Sequence, residues 1–285
     1  MVVLVTGAAG QLGQSLQFIV PNYPEITFHF FNSSELDITD LENCHTIFGI
    51  IKPDFCINAA AYTAVDKAES EPEKAHSINV TGAENLAKGC KENNTVLLHI
   101  STDFVFDGMA SKPYNEDDVP NPTGVYGQTK LDGERAIQEI WEKHFIIRTS
   151  WVYSQFGNNF MKTMLRLGAE RDSLSVVNDQ IGTPTNAVDL AQALVSLILT
   201  YNLQPTTYNF GIYNFSNEGQ CSWYDFAKKI FEIHKIEIDL QPIPTTSYPT
   251  PAKRPAYSVL DKSKIKEVFG VKINDWEETI LFNIE

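Results

Sequence analysis

Short apolar runs alternate with stretches of helical periodicity in the first half of the chain. Val2–Thr6 is continuously apolar and mostly β-branched, which is typical of a strand buried on both faces of a parallel sheet. We predict further strands at Thr27–Phe31, 54–58, 95–101 and 145–149, and helices ending near residue 20 and spanning 74–91 and 126–143. This alternation predicts an α/β fold with a Rossmann-type, doubly wound parallel sheet.

The pattern changes after Tyr153. Helices are predicted at 158–169, 187–201, 222–234, Ser263–Phe269 and 275–282, with short strands at 174–177 and 207–210. Ser222 and Asp225 have the spacing of a capping box, and the prolines between 242 and 255 predict an extended loop. We therefore predict an NAD(P)-binding domain over 1–153 and a smaller C-terminal α/β substrate-binding domain, mainly 154–285, with 187–203 packing back on the first domain.

Composition argues against some classes of function. The 285 residues are 43% hydrophobic, enough for a full core, and the formal net charge is -14. Such an acidic chain is a poor candidate for binding nucleic acid or an anionic membrane. The apolar run at 190–199 is interrupted by Gln192 and Ser196 and is too short to span a bilayer. We therefore expect no nucleic-acid partner and no membrane partner.

Four scattered cysteines, without a C-x-x-C pair, predict free thiols in a reducing compartment rather than a disulfide framework or a zinc site. The apolar stretch 1–5 lacks the basic residues of a signal peptide, so we interpret it as a buried strand. Together these features predict a cytoplasmic protein without a metal centre.

Glycines follow the first strand directly, at Gly7, Gly10 and Gly13. Glycine permits a tight turn and a close approach of the backbone to a pyrophosphate, and the helix that follows supplies N–H donors and a positive dipole end. The spacing is G-x-x-G-x-x-G rather than G-x-G-x-x-G. Because it directly follows a strand, this glycine turn predicts a dinucleotide site. The minor alternative is a turn whose glycines serve only tight packing.

The second predicted strand ends in Asn32, Ser33 and Ser34, where dinucleotide sites often have an acid for the ribose 2′-hydroxyl. No carboxylate there would repel a 2′-phosphate, but no arginine would bind it either. NADPH is therefore favoured as cofactor, and NADH is not excluded. Asp37 is a candidate to face the adenine, whereas Asp40 is interpreted as a helix N-cap.

Small residues follow the third predicted strand. Ala59, Ala60 and Ala61, with Tyr62 and Thr63 after them, leave room for a cofactor across the strand ends, where open α/β sheets place their ligands. The charged stretch that comes next, 66–73, predicts a solvated surface.

Tyr126 and Lys130 stand one helical turn apart, on one face of the helix predicted after the stretch 120–124. A free tyrosine has a pKa of about 10, and a nearby ammonium group stabilises the phenolate and lowers that pKa. The pair is predicted to give a proton to a carbonyl oxygen or to take one from an alcohol. A hydroxyl of the stretch 101–103 either binds that carbonyl or only closes a Ser/Thr turn, and the residues alone leave these alternatives even.

These features together resemble the short-chain dehydrogenase/reductase superfamily, in its extended, nucleotide-sugar-modifying branch. Longer motifs are similar to those of the dTDP-4-dehydrorhamnose reductase family, at 6–13, 58–69, 101–108, 148–153, 178–185 and 254–258. The similarity runs from residue 1 to about residue 261. It implies reduction of the C4 ketone of dTDP-4-dehydro-β-L-rhamnose by NAD(P)H, which gives dTDP-L-rhamnose.

The resemblance also implies residue roles. Tyr126 would donate the proton, Thr102 would polarise the ketone, and Lys130 would bind the nicotinamide ribose and tune Tyr126. Cofactor contacts are implied for Gly7, Gly10, Gln11, Leu12, Gly13, Asp37, Ile38, Ala59, Ala60, Ala61, Tyr62, Thr63, Tyr126 and Lys130. Substrate contacts are implied for Val65, Thr102, Asp103, Phe104, Tyr126, Trp151, Asn159, Gln180 and Arg254.

Two of these substrate residues have a second interpretation. Gln180 lies in a loop that contains glycine and proline, so an ordinary loop residue is the alternative. Arg254 follows Lys253 in a very acidic chain. Its planar guanidinium can grip a pyrophosphate, or it can pair with nearby acids at the surface.

The chain departs from the family pattern at two positions. Ser15 replaces a glutamate that takes part in a metal-linked dimer in some members, so we expect a monomer or a homodimer without a bridging metal. Phe104 replaces a frequent tyrosine, which removes a polar contact to the substrate. Two alternative functions stay open: a nucleotide-sugar 4-epimerase or 4,6-dehydratase that retains NAD, and a non-catalytic relative similar to the regulatory subunit of methionine adenosyltransferase.

Overall fold

Strands and helices alternate through the first half of the chain in the computed structural model, which describes residues 1–203 and 210–280. The strands in these residues are β1 Val2–Thr6, β2 Thr27–Phe31, β3 Phe55–Asn58, β4 Val96–Thr102, β5 His144–Thr149, β6 Val152–Tyr153, β7 Ser173–Val177, β8 Ile181–Gly182, β9 Thr185–Asn186, β10 Gly211–Asn214, β11 Cys221–Ser222 and β12 Asp239–Ile243. The α-helices are α1 Gln11–Ile19, α2 Leu41–Ile51, α3 Val65–Ala68, α4 Pro72–His76, α5 Gly82–Asn93, α6 Val125–Ile140, α7 Phe160–Glu170, α8 Ala187–Leu203, α9 Trp223–His234, α10 Ser263–Phe269 and α11 Trp276–Thr279.

Six parallel strands form the central sheet, in the order β2-β1-β3-β4-β5-β10. The first five strands of the chain all lie in it, close to their predicted bounds, so the predicted doubly wound α/β fold of the Rossmann type is confirmed. The strand order reverses at β1, because β2 lies on one side of it and β3 on the other. Ligands of open α/β sheets bind outside the carboxyl ends of the strands at such a reversal.

Successive side chains of β1 point to opposite faces of the sheet, and each face is covered by helices. Val3 and Val5 pack with Leu16 of α1 and Leu194 of α8. Leu4 packs on the other face, with α2 and α5. Residues 187–203 therefore share the core of the first-half strands, and β10 extends their sheet. The boundary between the two predicted domains stays a prediction.

A second hydrophobic cluster lies in the C-terminal half, where Met161 of α7 packs with Phe226 and Ile230 of α9 and with Trp276 of α11. The strand predicted at 174–177 is confirmed as β7. The extended loop predicted from residue 242 is wrong at its start, because β12 includes Pro242 and pairs with β7 in parallel. These two strands form a sheet of their own, so β12 is an edge strand, where proline is tolerated.

Several helix ends differ from their predicted positions. The helix predicted over 74–91 is instead α4, a π-helical turn at Ser77–Thr81, and α5. Helix α6 begins at Val125, one residue before the prediction, and ends at Ile140, three residues before it. The capping box of Ser222 with Asp225 and the N-cap role of Asp40 are confirmed.

Two of the predicted segments extend beyond the described residues. Positions 207–209 of the strand predicted at 207–210 and positions 281–282 of the last predicted helix lie outside them. Across 1–203 and 210–280, we find no helix whose length and hydropathy would let it cross a membrane. All four cysteine side chains are buried free thiols.

Candidate active site

The glycine turn closes tightly against the end of the third strand. Gly7 has a φ of +69°, and a Cβ atom there would lie 2.6 Å from the carbonyl of Ala59 and the nitrogen of Ala60. A Cβ atom on Gly13 would lie 2.3 Å from the carbonyl oxygen of Gly7. Side chains at either position would push β1, β3 and α1 apart, so the sequence needs glycine here.

The amino end of α1 faces the carboxyl edge of the sheet. Its first hydrogen bond runs from the Gln14 N–H to the Gly10 carbonyl, at 2.9 Å. The N–H groups of Gln11, Leu12 and Gly13 precede that bond, so the helix itself does not use them. Three backbone donors beside a glycine N-cap form a cradle that fits the pyrophosphate of a dinucleotide.

The Gln11 side chain leaves this cradle and joins the C-terminal half of the chain. Its Oε1 accepts hydrogen bonds from Asn159 Nδ2 at 2.9 Å and from Ser154 Oγ at 3.1 Å. Asn159 also caps α7 by accepting from the Lys162 N–H. Asn159, expected to contact substrate, thus lies beside the candidate cofactor turn and connects it to α7.

The other predicted cofactor residues lie along the same edge. The Tyr62 hydroxyl donates to Glu71 at 2.8 Å, and its backbone N–H donates to Asn79 of the π-helical turn. Asp37 accepts from the backbone and hydroxyl of Thr39, so one of its oxygens is occupied within its own turn. Ile38 is buried. The positions of Ala61 and Thr63 follow from the Tyr62 loop that Asn79 holds.

Tyr126 and Thr102 meet at the carboxyl end of β4. The Thr102 hydroxyl hydrogen-bonds the Tyr126 phenol, and it donates to Asp103 Oδ1 at 3.1 Å. Gly127 allows this approach, because a Cβ atom there would lie 2.1 Å from the Phe104 carbonyl oxygen. The Phe104 ring packs edge-on against Tyr126 at 5.5 Å.

The neighbouring Ser101 has a different role. Its hydroxyl donates to Glu134, which also forms a doubly hydrogen-bonded ion pair with Arg148 at 2.6 and 3.0 Å. Strand register explains this arrangement, since Ser101 and Arg148 are direct partners on β4 and β5. Of the hydroxyls in the stretch 101–103, Thr102 is therefore the one that faces the predicted catalytic tyrosine.

Burial shifts the titration of the site. It raises the pKa of Tyr126 to about 12, with the Asp103 charge adding to the rise and the Thr102 hydrogen bond opposing it. Burial also raises the pKa of Asp103 to about 6, against the hydroxyls of Ser258 and Thr102. The lowering of the Tyr126 pKa that we expected from Lys130 is wrong for this structure, because desolvation of the phenolate dominates.

Lys130 lies deeper than Tyr126. Its amino group donates to the Ile100 carbonyl at 2.7 Å and lies 3.2 Å from Nε2 of His99. Burial lowers its pKa to about 8, and Glu134 acts in the opposite direction. The helical spacing thus places both residues on one face, but each meets different neighbours.

Trp151 follows β5 with a φ of +46°. Its indole stacks on Trp223, with ring centroids 3.6 Å apart and ring planes 9° apart. Gly182 leaves room for the indole, because a Cβ atom there would lie 2.6 Å from it. Gln180, close by in sequence, donates to the Thr245 hydroxyl at 3.0 Å. The stack gives the C-terminal half a flat aromatic surface close to β5.

Arg254 forms a forked ion pair with Asp66, with Nη1–Oδ1 and Nη2–Oδ2 distances of 2.6 and 2.7 Å. The arginine lowers the pKa of the Asp66 carboxyl. Asp66 follows Val65 in the acidic stretch that we predicted to be solvated. The stretch is largely exposed, but Glu69 also accepts from the Val125 N–H, the first residue of α6. It therefore supports the site as well as facing water.

Sequence reasoning missed several supporting residues, notably His99, Asn79, Glu134 and Ser258. Only Glu134 had a local signal, since it stands one helical turn after Lys130. The others depend on contacts between distant parts of the chain. In 1–203 and 210–280, no three or more His, Cys, Asp or Glu side chains are grouped so that they could hold a metal ion. Ser15 is buried and donates to the Gln11 carbonyl.

A doubly wound sheet, a glycine cradle at its carboxyl edge and a Tyr-x-x-x-Lys helix facing a threonine define an extended short-chain dehydrogenase/reductase. Comparison with known proteins narrows this class. The family model described as the RmlD substrate binding domain matches residues 1–284. The chain belongs to this family, that of the dTDP-4-dehydrorhamnose reductases.

Relatives of this family match over nearly the whole chain. A dTDP-4-dehydrorhamnose reductase of Aggregatibacter actinomycetemcomitans is 44% identical, with 97% of this chain and 96% of that protein covered. The crystal structure of one from Clostridium acetobutylicum has a TM-score of 0.93 at 40% identity, covering 99% and 98% of the two chains. The structure of one from Bacillus anthracis, in complex with NADP, has a TM-score of 0.92 at 40% identity, covering 98% and 96%.

Proposed function

We propose that this protein reduces the C4 ketone of dTDP-4-dehydro-β-L-rhamnose with NADPH and forms dTDP-L-rhamnose. One observation of the structure carries the proposal. The Tyr126 phenol and the Thr102 hydroxyl are hydrogen-bonded at the carboxyl end of β4, along the same edge of the sheet as the glycine cradle. The names of relatives at about 40% identity supply the substrate.

The cofactor proposal rests on the cradle and on one relative. Backbone donors of Gln11, Leu12 and Gly13 suit a pyrophosphate, and the Bacillus anthracis relative was solved with NADP. Asn32, Ser33 and Ser34 place no carboxylate against a 2′-phosphate. We therefore favour NADPH over NADH. When bound, the reduced nicotinamide supplies the hydride that reaches C4.

The chain itself supplies the proton and the polar surroundings. Tyr126 has a pKa of about 12, so it is a phenol at neutral pH and can donate its proton to the oxygen on C4. In this proposal Thr102 turns its hydroxyl from Asp103 to hydrogen-bond the same oxygen as negative charge develops. The amino group of Lys130, near the end of β4, would donate a hydrogen bond to the nicotinamide ribose. Thr102 and Lys130 are buried and Tyr126 is half-buried, which limits the access of water to the transfer.

The sugar nucleotide is proposed to lie between β4 and the C-terminal half. The proposed contacts to it are Asp103, Phe104 and the Trp151 stack, together with Val65, Asn159 and Gln180. Arg254 is already paired with Asp66, so it would reach a pyrophosphate only by exchanging one anion for another. That exchange makes Arg254 the least supported of the proposed substrate contacts.

The test is multiple-turnover loss of NADPH absorbance with dTDP-4-dehydro-β-L-rhamnose, made in place from dTDP-glucose by the two upstream enzymes, and detection of dTDP-rhamnose. Tyr126→Phe should lower kcat by about 10²–10⁴-fold with little change in NADPH affinity. Tyr201→Phe is the matched control, since Tyr201 packs on Phe55 and Phe145 away from the site. Near-normal turnover by Tyr126→Phe would refute the proton-donor role.

Other outcomes separate the alternative functions. Protein that purifies with stoichiometric, non-exchanging NAD would favour a 4-epimerase or 4,6-dehydratase. NADPH binding without turnover, together with co-purification of a methionine adenosyltransferase, would favour the regulatory relative. We further propose a cytoplasmic monomer or homodimer without a bridging metal, which is supported by the buried free thiols and by Ser15.

A further inference from the structure

A row of buried polar side chains crosses the sheet beneath the site and ends at Lys130. Thr6 Oγ1 donates to Asn58 Oδ1 at 2.7 Å, and Asn58 Nδ2 lies 2.9 Å from His99 Nδ1. His99 Nε2 lies 3.2 Å from the Lys130 amino nitrogen. Each of the four side chains is at most 2% exposed.

Strand register produces this row. Thr6 is the direct partner of Asn58 across β1 and β3, and Asn58 is the direct partner of His99 across β3 and β4. Partners in register place their side chains on the same face of a sheet. Helix α6 then brings Lys130 onto that face at the end of the row.

The row has a direction. Asn58 Oδ1 accepts from Thr6 Oγ1 and also from the Ala60 N–H at 3.2 Å. The Asn58 amide nitrogen is therefore turned toward His99 and donates to Nδ1. A neutral imidazole has one N–H and one acceptor nitrogen. Because Nδ1 accepts, the ring proton is on Nε2 and points at Lys130.

An uncharged lysine fits this arrangement better than an ammonium group does. An amine has one lone pair, which accepts from His99 Nε2–H, and two N–H groups, one of which donates to the Ile100 carbonyl at 2.7 Å. An ammonium would place donor against donor at His99. Burial lowers the pKa of Lys130 to about 8 and keeps His99 neutral by lowering its pKa. The direction of the Lys130 shift agrees with the geometry, whereas the His99 shift also reflects the charge of Lys130 in its ammonium form.

We propose that His99 is a positioning residue for Lys130: held in its Nε2–H tautomer by Asn58 and Thr6, it fixes the amino group of Lys130 and disfavours the charged form. The proposal rests on the proposed function for the role of Lys130 toward the cofactor. The other titratable groups that act on the pair are Glu134, which favours the ammonium form, and His144, which disfavours charge on His99.

The tautomer can be measured directly. Long-range ¹H–¹⁵N NMR spectra of ¹⁵N-histidine-labelled protein distinguish a protonated ring nitrogen from an unprotonated one, and His99→Gln identifies the His99 signals by their loss. We expect a protonated Nε2 and an unprotonated Nδ1 near neutral pH. A ring protonated at Nδ1, or at both nitrogens, would overturn the proposal. The tautomer is read from the wild-type protein without substrate, and the variant serves only to assign the signals.

A matched pair of variants tests the effect on Lys130. Thr6→Val removes the shorter of the two hydrogen bonds to Asn58 Oδ1 and leaves the one from the Ala60 N–H at 3.2 Å, so the amide can turn its oxygen toward His99 Nδ1 more easily. The ring proton then moves to Nδ1, Nε2 accepts from the Lys130 ammonium, and the charged form becomes more stable. Thr6→Ser keeps the hydroxyl and is the control.

The readout is the dissociation constant of NADPH followed as a function of pH. The alkaline inflection at which binding weakens should move up by about one pH unit in Thr6→Val and stay in place in Thr6→Ser. Equal behaviour of both variants would overturn the proposal. Binding and NMR require no turnover, so a protein that binds NADPH but does not reduce the sugar would refute the proposed function alone.

Discussion

Asp103 offers a quantitative test of how strongly burial acts on this site. Its carboxylate is 2% exposed. Thr102 donates to Oδ1, and within the described residues Oδ2 has no partner with hydrogen-bond geometry. An ionised carboxylate in such surroundings is costly, which is why burial raises its pKa from 3.8 to about 6. Asp103→Asn replaces it with a neutral side chain of the same shape.

The sign of the effect follows from the raised pKa. Between about pH 4 and pH 6 the folded protein binds more protons at Asp103 than the unfolded chain does, so the free energy of unfolding falls as pH rises through this window. A shift of about two pKa units corresponds to about 3 kcal/mol. Asp103→Asn cannot ionise at this position, so its free energy of unfolding does not fall for this reason. Relative to wild type it should gain up to about 3 kcal/mol between pH 4 and pH 7.

Urea unfolding at a series of pH values gives the difference in free energy between the two proteins. Asp117→Asn is the matched control, because it removes the same charge from an exposed side chain and reports the general effect of one charge less in an acidic protein. Its difference from wild type should change less with pH. A difference for Asp103→Asn that is flat with pH, or that falls as pH rises, would refute the assignment of a buried, destabilising carboxylate.

Two further predictions concern the supports of the site. Glu134→Gln should lower the free energy of unfolding by about 3–5 kcal/mol, because it leaves the Arg148 guanidinium buried without its charge partner; a loss below about 1 kcal/mol in urea unfolding would contradict this. Glu69→Ala removes the acceptor of the Val125 N–H at the start of α6 and should cost about 0.5–2 kcal/mol by the same measurement. Glu69→Gln keeps an acceptor and should cost less, so equal losses would argue against the capping role.

The fold was predictable because its signals are local. Val2–Thr6 and Thr27–Phe31 are apolar enough to identify two strands to the residue, and glycines and prolines mark the turns between elements. Prediction failed where a local rule competed with a distant contact. Pro242 predicted a loop, since proline lacks an N–H donor, yet the partner strand β7 is 66 positions earlier in the register and holds it in a sheet.

In the candidate site, too, some features were predictable from sequence and others depend on distant contacts. The family resemblance implied that Tyr126 and Thr102 act on one carbonyl oxygen, and in the structure their hydroxyl groups are hydrogen-bonded. The pair of Asp66 with Arg254 joins residues 188 positions apart, and no periodicity in one sequence encodes such a contact. The row that reaches Lys130 through His99 depends on strand register, which is fixed only when the whole sheet is assembled.

Burial raises the pKa of Tyr126 and lowers that of Lys130. These opposite shifts decide which protonation states of the two groups the site favours. The pKa of the phenol is about 12 and that of the amino group about 8, whereas the free side chains differ little. A proton shared between them therefore favours the phenol by about four pKa units, on the order of 5 kcal/mol. Desolvation penalises the phenolate–ammonium pair and favours the neutral pair. The same burial therefore keeps the proton on Tyr126 and weakens the hold of Lys130 on its own proton.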